Sequence, residues 1–228
     1  MKAAVYCGTR NVYRDMTPAA KSLLRHSDVE KIYFLIEDGS FPEPLPSCIE
    51  TIDVSSQRWI HPDGPNAGRR WTWMSLVRAA LPYILPDLDR VLNLDNDTIV
   101  TGDVSWLWDL DLDGHYFAGV REPGKSIRHA YINYGVSVHN LRLLRESGKC
   151  AEIIRALNTK RYDCPMQDSM YELCGGRVKL LDGAYNVSDY TQSPTEAPRI
   201  LHFAADPGWE FREDVELWRR TPWSEVRP

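Results

Sequence analysis

The sequence predicts a single α/β domain with a mostly parallel central sheet flanked by helices. Three observations support this fold class. Strand-like apolar runs alternate with helical patterns through the first half of the chain, in the order β-α-β-β-α-β. The run at 31–36, KIYFLI, is almost wholly apolar, which is typical of a strand buried on both faces. The 228 residues fit one domain, and no linker-like segment divides them.

The first half of the chain contains four predicted strands and two predicted helices. The strands are expected at 2–7, 31–36, 49–54 and 90–94. One helix is predicted over 17–26, with Thr17 as N-cap and Pro18 at the first helical position. Amphipathic spacing predicts the second helix over 71–84. Proline-rich composition predicts loops at 38–48 and 61–68.

The second half of the chain has a less regular pattern. Its predicted strands are at 116–121, 131–138, 177–181 and 199–203, and its predicted helices are at 140–158 and 165–174. These elements extend the same sheet and leave no boundary at which a second domain would begin.

Composition and charge exclude several classes of protein. The content of 43% hydrophobic and 26% charged residues is ordinary for a soluble globular protein, and no apolar run approaches the roughly 20 residues that span a bilayer. A net charge of −5 argues against broad binding to nucleic acid or to an anionic membrane. Five cysteines without metal-site spacing, after an N-terminus without the apolar core of a signal peptide, predict a cytoplasmic location.

A pair of carboxylates is the strongest chemical signal in the chain. Asp95 and Asp97 follow the predicted strand 90–94, and open α/β sheets bind ligands at the carboxyl ends of their strands. Two carboxylates at i and i+2 repel each other unless a cation compensates their charge. Mg²⁺ or Mn²⁺ accepts such oxygen ligands and bridges them to phosphate. A solvated turn is the alternative, because Asp and Asn favour turns.

His202 is a candidate third ligand at the end of the predicted strand 199–203. An imidazole is a competent ligand for Mn²⁺, although a lone histidine at a strand end is more often structural. Other motifs are missing: there is no GxGxxG after the first strand, no GxxxxGK[ST] and no HExxH. Ser137 lacks the final glycine of a nucleophile elbow, so serine hydrolysis has no support.

Taken in order, these segments resemble glycosyltransferase family 8. Residues 88–100, LDRVLNLDNDTIV, resemble the family's "D-K-V-L-Y-L-D-x-D-x-V/I-V" block, and residues 131–141, YINYGVSVHNL, resemble "Y-F-N-S/A-G-V-L-L-x-N-L". Further matches are the N-terminal VYCGTRNVY, the Arg78 helix with its Leu81-Pro82 end, the LWDLDL segment at 107–112, "P-D-Q-D" at 165–168, and the His of "H-F/Y-x-G-x-x-K-P-W" at His202. The similarity covers nearly the whole chain.

This resemblance implies a GT-A fold and a metal-dependent, retaining transfer of glucose or galactose from a UDP-sugar. The expected cofactor is Mn²⁺ or Mg²⁺, and the acceptor is an unidentified glycan, lipid-linked or protein molecule. Residues 1–100 would form the nucleotide-binding part, and residues 101–228 would bind the acceptor and complete the metal site. The oligomeric state is left open.

The resemblance also implies roles for individual residues. Asp95, Asp97 and His202 would hold the metal, and Arg78 would contact the donor phosphate or sugar, with a structural ion pair as the alternative. Gln167 would lie near the anomeric carbon. The remaining donor-binding candidates are Tyr6, Gly8, Thr9, Tyr13, Asn96, Glu122, Asn133, Asp168 and Trp209, of which Tyr6 or Tyr13 would stack on uracil and Asn133, Asp168 and Glu122 would bind sugar hydroxyls.

The chain departs from the family pattern in three places. The lysine after His202 is missing, so that Arg78, Lys125 or Arg128 would have to contact the diphosphate. Met166 replaces a common aspartate, which removes a carboxylate nucleophile and favours front-face transfer. Thr9 and the residue after it replace acidic residues that contact uridine, so that the nucleotide could be other than UDP.

Two other functions therefore stay open: a sugar-nucleotide or glycan binding module without turnover, and a nucleotide-sugar hydrolase or nucleotidyltransferase. Loops 55–70 and 122–130 are the candidate acceptor or lid segments. The C-terminal segment 217–223, LWRRTPW, is a candidate membrane contact, with a terminal helix packed on the core as its alternative.

Overall fold

The structure is a computed structural model that describes residues 1–68, 72–123, 131–191 and 195–226. Its strands are β1 (Ala3–Gly8), β2 (Lys31–Ile36), β3 (Ile49–Asp53), β4 (Arg90–Leu94), β5 (Thr98–Val100), β6 (Phe117–Arg121), β7 (Ile132–Asn140), β8 (Val178–Leu180) and β9 (Ile200–His202). Its α-helices are α1 (Tyr13–Arg25), α2 (Trp73–Val77), α3 (Leu81–Ile84), α4 (Leu141–Glu146), α5 (Lys149–Thr159), α6 (Pro165–Cys174) and α7 (Glu213–Arg220).

Seven strands form one sheet in the order β3-β2-β1-β4-β7-β6-β8. The pairs β1–β2, β2–β3, β1–β4 and β6–β8 are parallel, whereas β7 runs antiparallel to β4 and β6. The predicted mostly parallel α/β sheet is thus confirmed. The carboxyl ends of β1 and β4 lie side by side, and this edge carries the predicted functional residues.

Helices cover both faces of this sheet because successive residues in each strand point to opposite sides. On one face, Tyr6 of β1 and Leu92 of β4 pack with Met16 and Leu23 of α1. On the other, Val5 and Val91 join the apolar side chains of α2 to α6. The alternation explains why buried strands read as continuous apolar runs in the sequence.

The first helix begins four residues earlier than predicted. Thr17 is not its N-cap but lies inside α1, and Pro18 is also internal to the helix. The Thr17 hydroxyl donates to Glu43 Oε1 at 2.6 Å instead of capping backbone N–H groups. The extra first turn is anchored by Tyr13, which is buried and whose hydroxyl accepts a hydrogen bond from the Glu37 backbone N–H.

The helix predicted over 140–158 is divided in two. Gly148 adopts φ +70° and separates α4 from α5. The segment predicted over 71–84 is also divided, since a 3₁₀ turn at 78–80 joins α2 to α3. Residues 69–71, including the start of that predicted helix, lie outside the described residues.

A small second sheet joins the middle of the chain to its C-terminal part. Strand β5 pairs antiparallel with β9, and their register sets Thr98 opposite His202. The sequence pattern did not predict β5 as a separate strand. Its pairing brings the turn that contains Asp95 and Asp97 against the end of β9.

The C-terminal helix α7 packs on α1, as the alternative to membrane contact predicted. Lys21 of α1 donates to the Thr221 carbonyl at 2.6 Å, and its ammonium lies 4.9 Å from the centre of the Trp223 ring. Trp218 meets the ring of His26 edge to face. Among the described residues, no helix is long and apolar enough to cross a membrane. Membrane contact through segment 217–223 stays a prediction.

Candidate active site

The three predicted metal ligands lie together at the carboxyl end of β4. Asp95 and Asp97 occupy the turn between β4 and β5, and His202 ends β9. His202 Nε2 lies 3.4 Å from Asp97 Oδ1 and 3.7 Å from Asp95 Oδ2. One ligand atom from each of the three residues lies within 4.8 Å of the other two. The strand pairing of β5 with β9 produces this cluster.

These distances fit a divalent cation. Two ligand atoms on adjacent corners of an octahedral ion at about 2.1 Å are roughly 3 Å apart, and opposite ones roughly 4.2 Å. Two carboxylates with one imidazole form a ligand set that suits Mn²⁺ or Mg²⁺. Structural zinc sites are instead rich in thiolate ligands. The donor set and its spacing therefore fit the predicted metal.

Gly135 of β7 leaves the space in which the ligands meet. A Cβ atom built on Gly135 would lie 2.2 Å from His202 Cε1 and 2.7 Å from Asp95 Oδ2. The Gly135 carbonyl also accepts the backbone N–H of Asp95 at 2.7 Å. Glycine is thus required here because the backbone approaches both side chains too closely for any Cβ.

Buried Arg78 forms an ion pair with the partly exposed Asp95, at 2.5 Å between Nη1 and Oδ1. The same nitrogen donates to Asn93 Oδ1 at 3.3 Å, and the guanidinium carbon lies 4.7 Å from the centre of the Tyr134 ring. This ion pair was the structural alternative for Arg78. Arg78 also lines the cavity that Asp97 lines, and its predicted contact with the donor stays a prediction.

The charged groups in the cluster shift one another's pKa values. Burial by itself would raise the pKa of Asp95, but Arg78 and His202 hold it below its usual value. Burial by itself would lower the pKa of His202, but the neighbouring Asp97 and Asp95 carboxylates raise it above its usual value. Asp95 is therefore ionised at neutral pH, as a metal ligand must be.

A chain of side-chain hydrogen bonds connects His202 to Glu122. It begins at Nδ1, the ring nitrogen that does not face Asp95 and Asp97. His202 Nδ1 is 2.9 Å from Asn186 Oδ1, and Asn186 Nδ2 donates to Asn133 Oδ1 at 3.0 Å. Asn133 Nδ2 donates to Glu122 Oε2 at 3.1 Å. Gln167 Nε2 donates to the same Glu122 oxygen at 3.0 Å. The predicted metal and sugar-binding residues thus belong to one hydrogen-bonded network.

Asn186 is a site residue that sequence reasoning missed. It lies wholly buried after a 3₁₀ turn at 183–185, in a segment without a recognised motif. Only the pairing of Val187 with Leu201 brings it against His202. The sequence does not predict this contact, because Asn186 and His202 are 16 positions apart and meet only through the tertiary fold.

One cavity of about 200 Å³ is lined by half of the predicted site residues. The predicted residues that line it are Arg78, Asp95, Asp97, Glu122, Asn133, Gln167 and His202. Met166 and Tyr190 also line it, and neither offers a carboxylate. The cavity therefore has acidic, amide, imidazole and guanidinium groups around one space.

Gly8 and Thr9 lie at the end of β1, where Asn96 of the turn between β4 and β5 contacts that strand. Asn96 Nδ2 donates to the Cys7 carbonyl at 2.9 Å, and a Cβ on Gly8 would come within 2.9 Å of that nitrogen. Asn96 Oδ1 is buried without a hydrogen-bond partner in the described part of the chain. The Thr9 hydroxyl is bonded to Asn11. The unpaired amide oxygen is consistent with a ligand donor at this position.

Neither tyrosine predicted to stack on a base presents a ring to the cavity. Tyr6 is fully buried and meets Phe34 edge to face within the core. Tyr13 is 1% exposed and stacks on Phe41. Strand alternation and the early start of α1 turn both rings into the core, and stacking of Tyr6 or Tyr13 on uracil stays a prediction.

Asp168 and Trp209 also lie apart from the main cavity. Asp168 accepts hydrogen bonds from the Cys164 backbone N–H at 2.8 Å and from the Tyr131 hydroxyl at 2.9 Å. It thereby stabilises the start of α6 and faces a separate hollow next to Lys160. Trp209 stacks on Phe203. Their predicted roles in donor binding stay predictions.

The departure from the family pattern after His202 can be followed in part in the structure. Lys125 and Arg128, two proposed substitutes for the missing lysine, lie outside the described residues. Arg78 is the one arginine or lysine among the described residues that line the cavity. In place of the family's glycine-containing turn, Ala205 adopts φ +60° at the cavity wall.

Comparison with known proteins agrees with the geometry. Residues 5–207 match the family model described as glycosyl transferase family 8. Glycosyltransferase GlyE of Streptococcus pneumoniae serotype 4 (strain TIGR4) is 34% identical over 136 residues, which are 53% of this chain and 31% of GlyE. Glycosyltransferase GlyB of the same strain is 24% identical over 172 residues, 63% of this chain and 42% of GlyB. The chain thus matches less than half the length of these two relatives.

Solved structures share the fold. The crystal structure of GlyE superposes with a TM-score of 0.74 at 24% identity, covering 99% of this chain and 62% of GlyE. The galactosyltransferase LgtC, solved with donor and acceptor sugar analogs, superposes with a TM-score of 0.67 at 21% identity, covering 95% of this chain and 91% of LgtC. Both likenesses extend over nearly all of the chain.

Proposed function

This chain belongs to glycosyl transferase family 8 and has the GT-A fold, and on that premise we propose that it transfers a hexose from a nucleotide-diphosphate sugar to an acceptor. The observation that supports this most is the cluster of Asp95, Asp97 and His202 in a cavity that Glu122 and Gln167 also line. A metal site beside sugar-binding groups is what the transfer requires.

Asp95, Asp97 and His202 would hold the divalent ion, Mn²⁺ or Mg²⁺. When bound, the ion supplies a Lewis acid that offsets the negative charge developing on the departing diphosphate. Arg78 adds a fixed positive charge beside it, because the guanidinium is buried, oriented by Asp95 and close to the Tyr134 ring. Arg78 would thereby supply the positive charge that the family's lysine, which follows its histidine, supplies in other members.

In the transfer, the bond between the anomeric carbon and the diphosphate oxygen breaks, and a bond to an acceptor hydroxyl oxygen forms. The acceptor proton passes to the departing diphosphate, on the same face, with retention of configuration. Gln167 and Glu122 would face the sugar during this step. The hydrogen bond from Gln167 Nε2 to the Glu122 carboxylate increases the negative partial charge on Gln167 Oε1, which would then stabilise an oxocarbenium-like transition state.

The finer assignments belong to the same proposal. We take UDP-glucose or UDP-galactose as donor, the part up to residue 100 as the nucleotide-binding half, and loops 55–70 and 122–130 as acceptor-binding. Asn66 ties the described part of the first loop to α5, through hydrogen bonds of 2.7 Å to the Leu157 and Lys160 carbonyls. A rigid loop at this place suits an acceptor platform. Cytoplasmic location stays a prediction of the sequence.

Thermal unfolding with and without ligands tests donor and metal together. We expect UDP together with MnCl₂ to raise the Tm more than either compound alone. The reason is that the metal ion would contact both the protein and the diphosphate, so that each ligand strengthens the binding of the other. At a ligand concentration about one hundred times Kd, mass action stabilises the folded state by about 2.7 kcal/mol. GDP and CDP with MnCl₂ test the base preference, and Asp97→Asn is the control that should lose the metal-dependent part. No stabilisation by any nucleotide with any divalent ion would refute the proposal.

A binding module without turnover is the second candidate, and Met166 together with the missing lysine favours it. The two functions differ in chemistry rather than in binding. Incubation with UDP-glucose or UDP-galactose, Mn²⁺ and a panel of acceptor glycans should release UDP if the chain is a transferase. Binding without UDP release across the panel would support the module, and UDP release without any acceptor would indicate a hydrolase.

For Gln167 we expect Gln167→Ala to lower kcat by at least about tenfold, since each 1.4 kcal/mol of lost transition-state stabilisation is tenfold in rate. Near-full kcat in that variant, measured with a defined acceptor, would remove Gln167 from the mechanism.

A further inference from the structure

Asn186 occupies a place between the candidate metal ligand His202 and the sugar-binding candidate Asn133. Its side chain is wholly buried, and both of its amide atoms are engaged. Oδ1 lies 2.9 Å from His202 Nδ1, and Nδ2 donates to Asn133 Oδ1 at 3.0 Å. A buried amide with both ends bonded to site residues acts as a rigid connector between them.

The backbone around Asn186 holds it in that place. Val187 forms a parallel bridge with Leu201, the Val187 N–H donates to the Ile200 carbonyl at 2.9 Å, and the His202 N–H donates to the Val187 carbonyl at 2.9 Å. The Asn186 carbonyl accepts the Thr191 hydroxyl at 2.6 Å. Asn186 is therefore fixed relative to β9 by hydrogen bonds that do not involve its side chain.

The orientation of the Asn133 and Asn186 side-chain amides follows from neighbouring groups that can only donate or only accept a hydrogen bond. The Gly135 backbone N–H donates to Asn133 Oδ1 at 3.1 Å, and Glu122 Oε2 accepts from Asn133 Nδ2. Asn133 must therefore present its oxygen to Asn186. Asn186 must then present Nδ2 to Asn133 and its own oxygen to His202.

That sequence of constraints determines where the proton of neutral His202 lies. Only Nδ1–H can donate to the oxygen of Asn186, so that the lone pair is on Nε2. Nε2 is the atom that faces Asp97 and Asp95. Without this constraint, the two carboxylates would favour the opposite tautomer, in which Nε2–H donates to Asp97 and no lone pair is left for a cation.

We propose that Asn186 is a positioning residue of the metal site, which holds His202 in the tautomer and ring orientation that expose the Nε2 lone pair to the two aspartates. The inference rests on the proposed function for the identity of the ligand, but the tautomer itself does not depend on metal. Asn186 further connects the metal ligand, through Asn133, to the Glu122 carboxylate that also binds Gln167. Loss of Asn186 would therefore loosen both ends of the cavity.

The first experiment measures Mn²⁺ affinity, by calorimetry in the presence of UDP, for three variants. Partners that orient a metal-bound histidine typically contribute 10–100-fold in metal affinity, so we expect Asn186→Ala to weaken Mn²⁺ binding by about that factor. Asn186→Asp keeps an acceptor for Nδ1–H and should recover most of the affinity. Asn140→Ala is the control, because the Asn140 amide also joins separate segments, through the Leu112 and His115 carbonyls and the Leu143 N–H, but lies at the end of β7 that pairs with Arg90. Its loss should lower Tm without changing Mn²⁺ affinity.

The second experiment reads the tautomer in the metal-free chain by ¹⁵N NMR of the imidazole nitrogens at alkaline pH, with His202→Gln to assign the signals. We expect Nδ1–H in the wild-type chain and Nε2–H in Asn186→Ala. A wild-type chain in the Nε2–H tautomer overturns the inference even if the alanine variant fails to fold. Unchanged tautomer and unchanged Mn²⁺ affinity in Asn186→Ala also overturn it. A wild-type chain that shows the expected tautomer but binds no Mn²⁺ supports the positioning of His202 and refutes the proposed function instead.

Discussion

At the scale of single residues, Gly135 decides whether the candidate ligands can meet. Its backbone passes so close to His202 and Asp95 that a single Cβ would overlap both side chains. The requirement comes from tertiary contact rather than from the glycine's own backbone angles. The motif block that contains Gly135 predicted a functional segment, but the contact explains why that position has no side chain.

We expect Gly135→Ala to displace His202 and to abolish Mn²⁺ binding. The imidazole would have to move from a contact of 2.2 Å, which carries Nε2 away from the aspartates. Mn²⁺ calorimetry with UDP measures the effect. Gly119→Ala is the matched control, because its Cβ would meet Ile132 Cδ1 at 2.7 Å in the same sheet, away from the ligands. Equal Mn²⁺ affinity in the wild-type and Gly135→Ala chains would contradict the proposed geometry.

Ala205 is strained, since it adopts φ +60° without being glycine. The left-handed region costs an L-residue about 1–2 kcal/mol, whereas glycine pays only about 0.5–1 kcal/mol of extra unfolded-state entropy. Ala205→Gly should therefore raise the free energy of unfolding by up to about 1 kcal/mol. Urea denaturation measures it, with Ala151→Gly on the exposed face of α5 expected to lose about 1 kcal/mol. A loss of stability in Ala205→Gly as large as in Ala151→Gly would show that the strain is not there.

At the scale of elements, the breaks in the helices follow from backbone conformation. Gly148 ends the helical pattern that runs from 140 to 158, because its φ of +70° turns the chain between α4 and α5. Thr17 and Pro18 gave a helix-start signal that packing overrode, since Tyr13 and Met16 continue the buried stripe of α1 by one turn. Local signals therefore located the helices but misplaced the start of α1 and missed the breaks within 71–84 and 140–158.

We expect Gly148→Ala to destabilise the fold by about 1 kcal/mol through backbone strain alone. A Cβ on Gly148 would meet nothing within 4 Å, so no clash adds to the cost. Gly176→Ala is the control: it also meets nothing within 4 Å, and its φ lies outside the left-handed region. That variant should be neutral or stabilising. Equal midpoints of urea unfolding for the two variants would rule out strain at Gly148.

At the scale of the whole molecule, the stability of the folded state at acid pH depends on the buried residue His139. His139 is a buried residue of β7 beside the Phe117 ring, and its Nε2 is 3.0 Å from the Ser137 hydroxyl. Burial, assisted by the Arg78 charge, lowers the pKa of His139 to about 3. The unfolded chain binds this proton near the ordinary value of about 6.5. The folded state therefore loses stability as pH falls from about 6.5 towards 3.

The slope of that loss is at most about 1.4 kcal/mol per pH unit for one group. His202 has a raised pKa and contributes in the opposite direction, so the test compares variants rather than absolute values. We expect His139→Gln to reduce the difference in unfolding free energy between pH 7 and pH 5. His61→Gln, on an exposed loop, is the control and should keep the wild-type difference. An unchanged difference in His139→Gln would mean that His139 is protonated in the folded state.

The sequence by itself determined the fold class, the order of the main elements and the identity of the three candidate ligands. Apolar periodicity sets which segments are strands or helices, and the spacing of Asp95, Asp97 and His202 within recognisable blocks sets the chemistry. Only the tertiary structure decided that Tyr6 and Tyr13 face the core, that Asp168 stabilises the start of α6, and that Asn186 contacts His202. Those outcomes depend on strand register and on which face of an element is covered, and both are fixed by pairing between residues far apart in the chain.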